Sequence, residues 1–271
     1  MRYLAFRHKA GYAHKVSHWK HNNYGDNGFM YHVKKASQSW YGQSIGILIL
    51  DAAYPCIPGN VGNATTFDYP VCYQEVRGAS IDRLLNQRDP ELIKPFIEAA
   101  QELERRGIKA ITGACGFMAL FQKEVAASVN IPVFLSSLMQ IPFIHALTRK
   151  PVGIITANAC QLGPMHFSAL GIADSIPVVI AGMEQQPEFS SAILEEKGSL
   201  CSTTIESEVT SVARHMLTQH PDLGAILLEC SDLPPYAHAV QRDTQLPVFD
   251  FITMIDYVYH SLVRKPYHGH M

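Results

Sequence analysis

From residue 45 onward, apolar and polar positions alternate in blocks of two kinds. Ile45–Leu50 (IGILIL) is a continuous apolar run closed by Asp51, the pattern of a buried parallel strand. Pro90–Gly107 places Leu92, Ile93, Phe96, Ile97, Ala100 and Leu103 at helical spacing, with Gly107 as a stop. The same reading predicts strands over Ile108–Thr112, Ile131–Leu135, Val152–Thr156, Ile176–Ile180, Ala225–Glu229 and Pro247–Phe251. It predicts helices over Leu120–Val129, Leu162–Leu170, Glu206–Thr218, Pro235–Arg242 and Thr253–Val263, with a turn at Gly113–Gly116. Strands alternating with helices imply an α/β fold with parallel sheets.

Comparing the chain with itself adds an internal repeat. A shift of 115 positions lays Ala110 on Ala225, Cys115 on Cys230, and Pro132-Val133-Phe134 on Pro247-Val248-Phe249, with no gap. A second match, Gly46-Ile47-Leu48 with Gly153-Ile154-Ile155, sets Asp51 opposite Asn158. The expected architecture is two pseudo-symmetric, doubly wound parallel-sheet lobes facing a central cleft. Residues 45–147 plus 254–271 would form the first lobe and residues 148–253 the second.

Residues 1–44 follow neither pattern. They hold seven Lys/Arg and five His against one acid, a net of +6 that leaves −8 for the rest of a chain whose total is −2. The composition predicts a poorly ordered basic extension. At 271 residues and 47% hydrophobic, the remainder can bury a substantial core. The modest charge content, 17%, points to neither nucleic acid nor a membrane surface as a partner. No apolar run reaches the roughly 20 residues of a bilayer span, and no signal peptide is evident. Six scattered cysteines without metal-ligand spacing are expected to be free thiols in a cytoplasmic protein, with no metal site.

Cys115 and Cys230 stand out from the other four. Each lies just past the carboxyl end of a predicted strand and just before a helix, the edge where α/β sheets bind ligands. Helix N-termini are expected to lower a thiol pKa and to offer N–H donors to a substrate carboxylate. Pseudo-symmetry would put one thiol on each side of a bound molecule. One would remove an α-proton and the other deliver a proton to the opposite face, without an imine-forming cofactor.

The segments Thr112-Gly113-Ala114-Cys115-Gly116-Phe117 and Leu228-Glu229-Cys230-Ser231-Asp232-Leu233-Pro234 resemble the aspartate/glutamate racemase superfamily, which includes hydantoin racemases. The resemblance covers roughly residues 45–260. It implies a cofactor-independent racemase or epimerase of an amino acid or derivative, with Cys115 and Cys230 as the bases and a small carboxylate as substrate. It further implies Asp51 as an acidic helper, Thr156 and Asn158 at the carboxylate, and Ser231 beside the second cysteine. Asn63, Gly116, Phe117, Ser137 and Asp232 complete the expected binding set. Asp51 reads equally as a turn residue, and Ser137 as part of a helix cap. Phe117 and Asp232 replace the Thr and His of glutamate racemases, which disfavours an anionic side chain on the substrate. Two alternatives share the scaffold: a one-thiol reaction such as decarboxylation or cis–trans isomerisation, and a non-catalytic small-acid binder. A homo-oligomer is compatible with all three.

Overall fold

The computed structural model of the chain describes residues 39–271. The expectation of a poorly ordered extension falls almost wholly outside the described residues. Among these, the chain forms two four-stranded, all-parallel sheets. The first contains β1 (Ile45–Ile49), β2 (Val71–Glu75), β3 (Ala110–Gly113) and β4 (Val133–Phe134), in the order β2-β1-β3-β4. Its helices are α1 (Ile93–Arg105) and α2 (Gln122–Ser128), with α3 (Ile141–Thr148) at the end of this half.

The second sheet contains β5 (Val152–Thr156), β6 (Val178–Gly182), β7 (Ala225–Leu228) and β8 (Val248–Phe249), in the equivalent order β6-β5-β7-β8. Its helices are α4 (Pro164–Ala169), the short α5 (Pro187–Phe189), α6 (Ser202–Gln219) and α7 (Ala237–Thr244), and α8 (Phe251–Leu262) closes the fold. The registers match as well. Ile45 pairs with Val71 and Ala110, and Val152 pairs with Val178 and Ala225. The two-lobe α/β architecture expected from the repeat is therefore present.

The central strands show why the pattern folds this way. β1 and β5 are covered on both faces, so they read as unbroken apolar runs. Each carries a glycine where a helix crosses it. A Cβ at Gly46 would lie 2.7 Å from Leu103 of α1, and one at Gly153 would lie 2.7 Å from Met216 of α6.

Three differences from the sequence reading have physical causes. β2 was not expected, because an edge strand with the sequence VCYQE is only partly buried and lacks a clean period. α3 was also missed, since IPFIHALT is apolar on nearly every face and shows no stripe. Helices expected at Leu120 and Pro235 begin at Gln122 and Ala237, after 3-10 turns at Gly116–Phe121 and Pro234–Tyr236.

The last helix of each half crosses to the other sheet. α3 packs against β5 and β7 of the second sheet, with Ile141 and Ile144 buried. Phe251, Met254 and Ile255 of α8 pack with Ile45, Ile47, Ala110 and Phe134. This exchange stitches the lobes together. It brings the carboxyl ends of β3 and β7 against each other, where Ser231 Oγ donates to Ala114 O at 2.7 Å. Among the described residues, no helix is long and apolar enough to cross a membrane.

Candidate active site

The turns after β3 and β7 meet at a small cavity. Leu50, Tyr54, Ile81, Leu85, Ala114 and Cys115 line one side, and Ala157, Ile193, Leu194, Cys230, Ser231 and Asp232 line the other. Both thiols thus face one space. Its volume is about 20 Å³, room for roughly one water, so a substrate enters only if the walls part. Two of those walls are single π-helical turns at equivalent places in the repeat, Asp82–Asn86 and Ser190–Leu194. Such turns sacrifice regular hydrogen bonding and are common at functional sites.

Cys230 is buried and belongs to a polar cluster. Its Sγ–H donates to Asp232 Oδ2 at 3.3 Å, and Asn60 Nδ2 donates to Asp232 Oδ1 at 2.5 Å. The Tyr54 hydroxyl also bonds the Asp232 carboxylate. Burial pushes the Asp232 carboxyl above its ordinary range, while these three donors pull it back. Burial, and then the nearby carboxylates, hold Cys230 as a thiol.

Cys115 has different company. It is the residue before the 3-10 turn Gly116–Phe121, with extended backbone (φ −166°, ψ 128°). The N–H groups of Phe117 and Met118 reach its sulfur and favour the thiolate. Burial, and then the Glu229 carboxylate, outweigh them and hold the proton on. The two thiols are thus raised rather than lowered, opposite to the expected effect of the helix N-termini. In so buried a site, desolvation of the anion exceeds the pull of two N–H dipoles.

Glu229 occupies the seam between the lobes and is fully buried. Thr156 Oγ1 donates to its Oε2 at 2.7 Å, Ser137 Oγ donates to its backbone oxygen at 3.1 Å, and its own N–H donates to Ile155 O at 2.8 Å. Oε1 has no hydrogen-bond partner among the described residues. It lies over Gly116, where a Cβ would overlap the carboxyl group. Burial raises this carboxyl to about 7.

The remaining expected site residues divide clearly. Ser231 and Asp232 line the cavity beside the two cysteines. Thr156, Ser137 and Gly116 stand one layer back, against Glu229. Phe117 is buried with its ring edge-on to His166 at 4.9 Å and does not shape the cavity. Asp51 is exposed and lies outside the lining. Asn63 holds its own loop by donating to Cys56 O and capping Thr65, and Asn158 accepts from the Cys160 N–H; neither reaches the cavity. Sequence reasoning missed Tyr54 and gave Glu229 no role. A carboxylate ending an otherwise apolar strand was a signal for Glu229, whereas Tyr54 sits in an aperiodic loop that gave none.

A family model described as Asp/Glu/hydantoin racemase matches residues 79–255, a span containing both cysteine turns. The chain belongs to the Asp/Glu/hydantoin racemase family. Curated proteins similar to this chain in sequence include lyases. A dimethylsulfoniopropionate lyase from Durusdinium sp. clade D is 34% identical over 234 residues, covering 83% of this chain and 77% of the relative. Dimethylsulfoniopropionate lyase 3 from Emiliania huxleyi (strain CCMP1516) is 34% identical over 236 residues, and this chain spans only 61% of its length. Among solved structures, an unliganded arylmalonate decarboxylase aligns with TM-score 0.55 at 14% identity, over 84% of this chain and 95% of that one. A glutamate racemase from Bacillus anthracis aligns with TM-score 0.52 at 17% identity, over 82% of this chain and 85% of that one. At those identities the structures share the fold.

Proposed function

We infer that this chain is a carbon–sulfur lyase that eliminates a dialkyl sulfide from a small sulfonium carboxylate, with dimethylsulfoniopropionate as the first substrate to test. The observation that carries this is the cavity wall. It holds two thiols, Tyr54, Ser231 and Asp232 among apolar side chains and, among the described residues, no Lys, Arg or His. Such a wall suits a compact cation, which Asp232 attracts by charge and Tyr54 by its ring face. A second anionic group on the substrate would meet only acids there. The similarity to lyases named for dimethylsulfoniopropionate supports the same reading.

The chemistry needs one base. Cys115 as thiolate takes the proton on the carbon next to the carboxylate. The carbon–sulfur bond then breaks with its electron pair leaving on sulfur, which gives a neutral dialkyl sulfide and acrylate. Cys230, held to Asp232 as a thiol, lines the cation's side of the cavity. Thiols that must stay reduced fit a reducing compartment such as the cytoplasm.

The test is direct. The purified protein, given dimethylsulfoniopropionate, is expected to release dimethyl sulfide and acrylate in equal amounts, and the Cys115→Ala variant neither. Two thiols on one cavity also support the two-base racemase. No sulfide release, together with α-proton exchange of aspartate, glutamate or a hydantoin in heavy water, would establish racemisation and refute the lyase reading.

A further inference from the structure

The geometry around Glu229 addresses a difficulty in the lyase reading, on which the inference rests. Cys115 must become a thiolate in a cavity that, among the described residues, has no basic side chain. Creating a second buried anion beside an existing carboxylate is costly. Moving one negative charge from the carboxylate to the sulfur is far less so, because the number of buried charges stays the same.

We propose that Glu229 is the proton acceptor for Cys115. It is a positioning residue that converts the thiol to thiolate through Oε1, its oxygen on the Gly116 side. Three observations support this. Oε1 is buried and makes no hydrogen bond among the described residues, so it has an open acceptor position. It lies against Gly116, the residue after Cys115, in space that any side chain at 116 would occupy. Oε2 and the backbone oxygen are clamped by Thr156 and Ser137, which keeps Oε1 aimed at the β3 turn.

The titratable groups around the thiols are Cys115 on that turn, Cys230 and Asp232 on Glu229's own loop, and Tyr54 and Cys56 on the loop after β1. None is cationic, so among the described residues no ion pair holds the Glu229 carboxylate ionised. A carboxyl brought to about 7 by burial is also far closer in proton affinity to a thiol than an exposed one.

The cycle balances. The Sγ proton passes to Oε1, and the thiolate takes the substrate α-proton as the sulfide leaves. Glu229 then releases its proton to solvent, the one proton that elimination produces, and the site resets. Because the two groups share a proton, they titrate as a pair.

The experiment compares wild type with Glu229→Gln in two pH series. One follows kcat/KM for dimethylsulfoniopropionate. The other follows alkylation of Cys115 by iodoacetamide, located by peptide mass, and needs no turnover. In wild type both are expected to rise through a pH of about 7. In Glu229→Gln both rises are expected to move up by about one pH unit or more, with activity recovered in alkali. A bystander carboxylate predicts the opposite. Its removal lifts a repelling charge, so the thiol would ionise at unchanged or lower pH, and that result overturns the proposal. If wild type releases no sulfide, the lyase reading fails while the alkylation series still decides the role of Glu229. Should Glu229→Gln not fold, Thr156→Val keeps the carboxyl and removes the donor to Oε2. Both rises then move up by a smaller step, and an unmoved profile overturns the proposal.

Discussion

The turns at Cys115 and Cys230 occupy equivalent positions in one repeated frame, yet they are chemically unlike. Before the cysteines stand Ala114 and Glu229; after them stand Gly116-Phe117 and Ser231-Asp232. The second turn supplies both buried carboxylates, and the first supplies a bare backbone on which one of them rests. Cys230 hands its S–H to Asp232, whereas the Cys115 sulfur meets backbone N–H groups and the cavity. A symmetric frame suits two-sided proton transfer. An asymmetric distribution of acids suits one base and one cation site, which is what elimination from a sulfonium requires.

The sharpest way to break this comparison is to remove each thiol in turn. Cys115→Ala is expected to lower kcat by about 10³-fold or more, and Cys230→Ser by only about tenfold, in a sulfide-release assay. Equal losses would restore the symmetric reading.

A second prediction concerns the bare backbone. Gly116→Ala would drive a methyl group into the Glu229 carboxyl, with the Glu229 backbone oxygen 2.8 Å away, where nothing flexible can yield. The expected loss is about 3 kcal/mol in denaturant unfolding.

The third prediction sets acid against pH. Glu229 is raised from 4.5 to about 7 in the fold, so the native state holds that proton more tightly than the unfolded chain. Its contribution to stability is full below about pH 4.5 and is lost as pH rises through about 7. That loss is about 3 kcal/mol between pH 4.5 and pH 8, and Glu229→Gln should abolish it. His166 runs the other way. Burial lowers it from 6.5 to about 4, so its contribution is present above pH 6.5 and disappears as pH falls through 4. Unfolding curves of both proteins at pH 5 and pH 8 separate the two groups.

Smaller effects probe the cation side. Asp232→Asn keeps the size and removes the charge; it should raise KM for a sulfonium substrate about tenfold and change kcat less. Ser231→Ala deletes the hydrogen bond to Ala114 O that joins the two turns, at an expected cost of about 1 kcal/mol of stability.

Much of this comparison was legible in the chain before any coordinates. Apolar runs marked β1, β3, β5 and β7, because strands covered on both faces are mostly apolar, with Thr112 and Thr156 tolerated where their hydroxyls find acceptors. The shift of 115 held through β3, β4, β7 and β8. It placed Cys115 and Cys230 at equivalent turns, because duplicated strands keep their register and register determines which residue ends each strand. Edge strand β2 and helix α3 left no period to read, since one is half-exposed and the other is apolar all round.

Only the tertiary structure decided the rest. The helix exchange by α3 and α8 presses the two sheets' carboxyl edges together. It buries Glu229 against Gly116 and brings Tyr54 and Asn60, more than 170 residues distant in sequence, onto Asp232. It also reversed the expected thiol chemistry, because desolvation depends on what covers a group rather than on its neighbours in the chain. Apolar patterning and the repeat set the frame and its two cysteines. Burial determined that they are unequal.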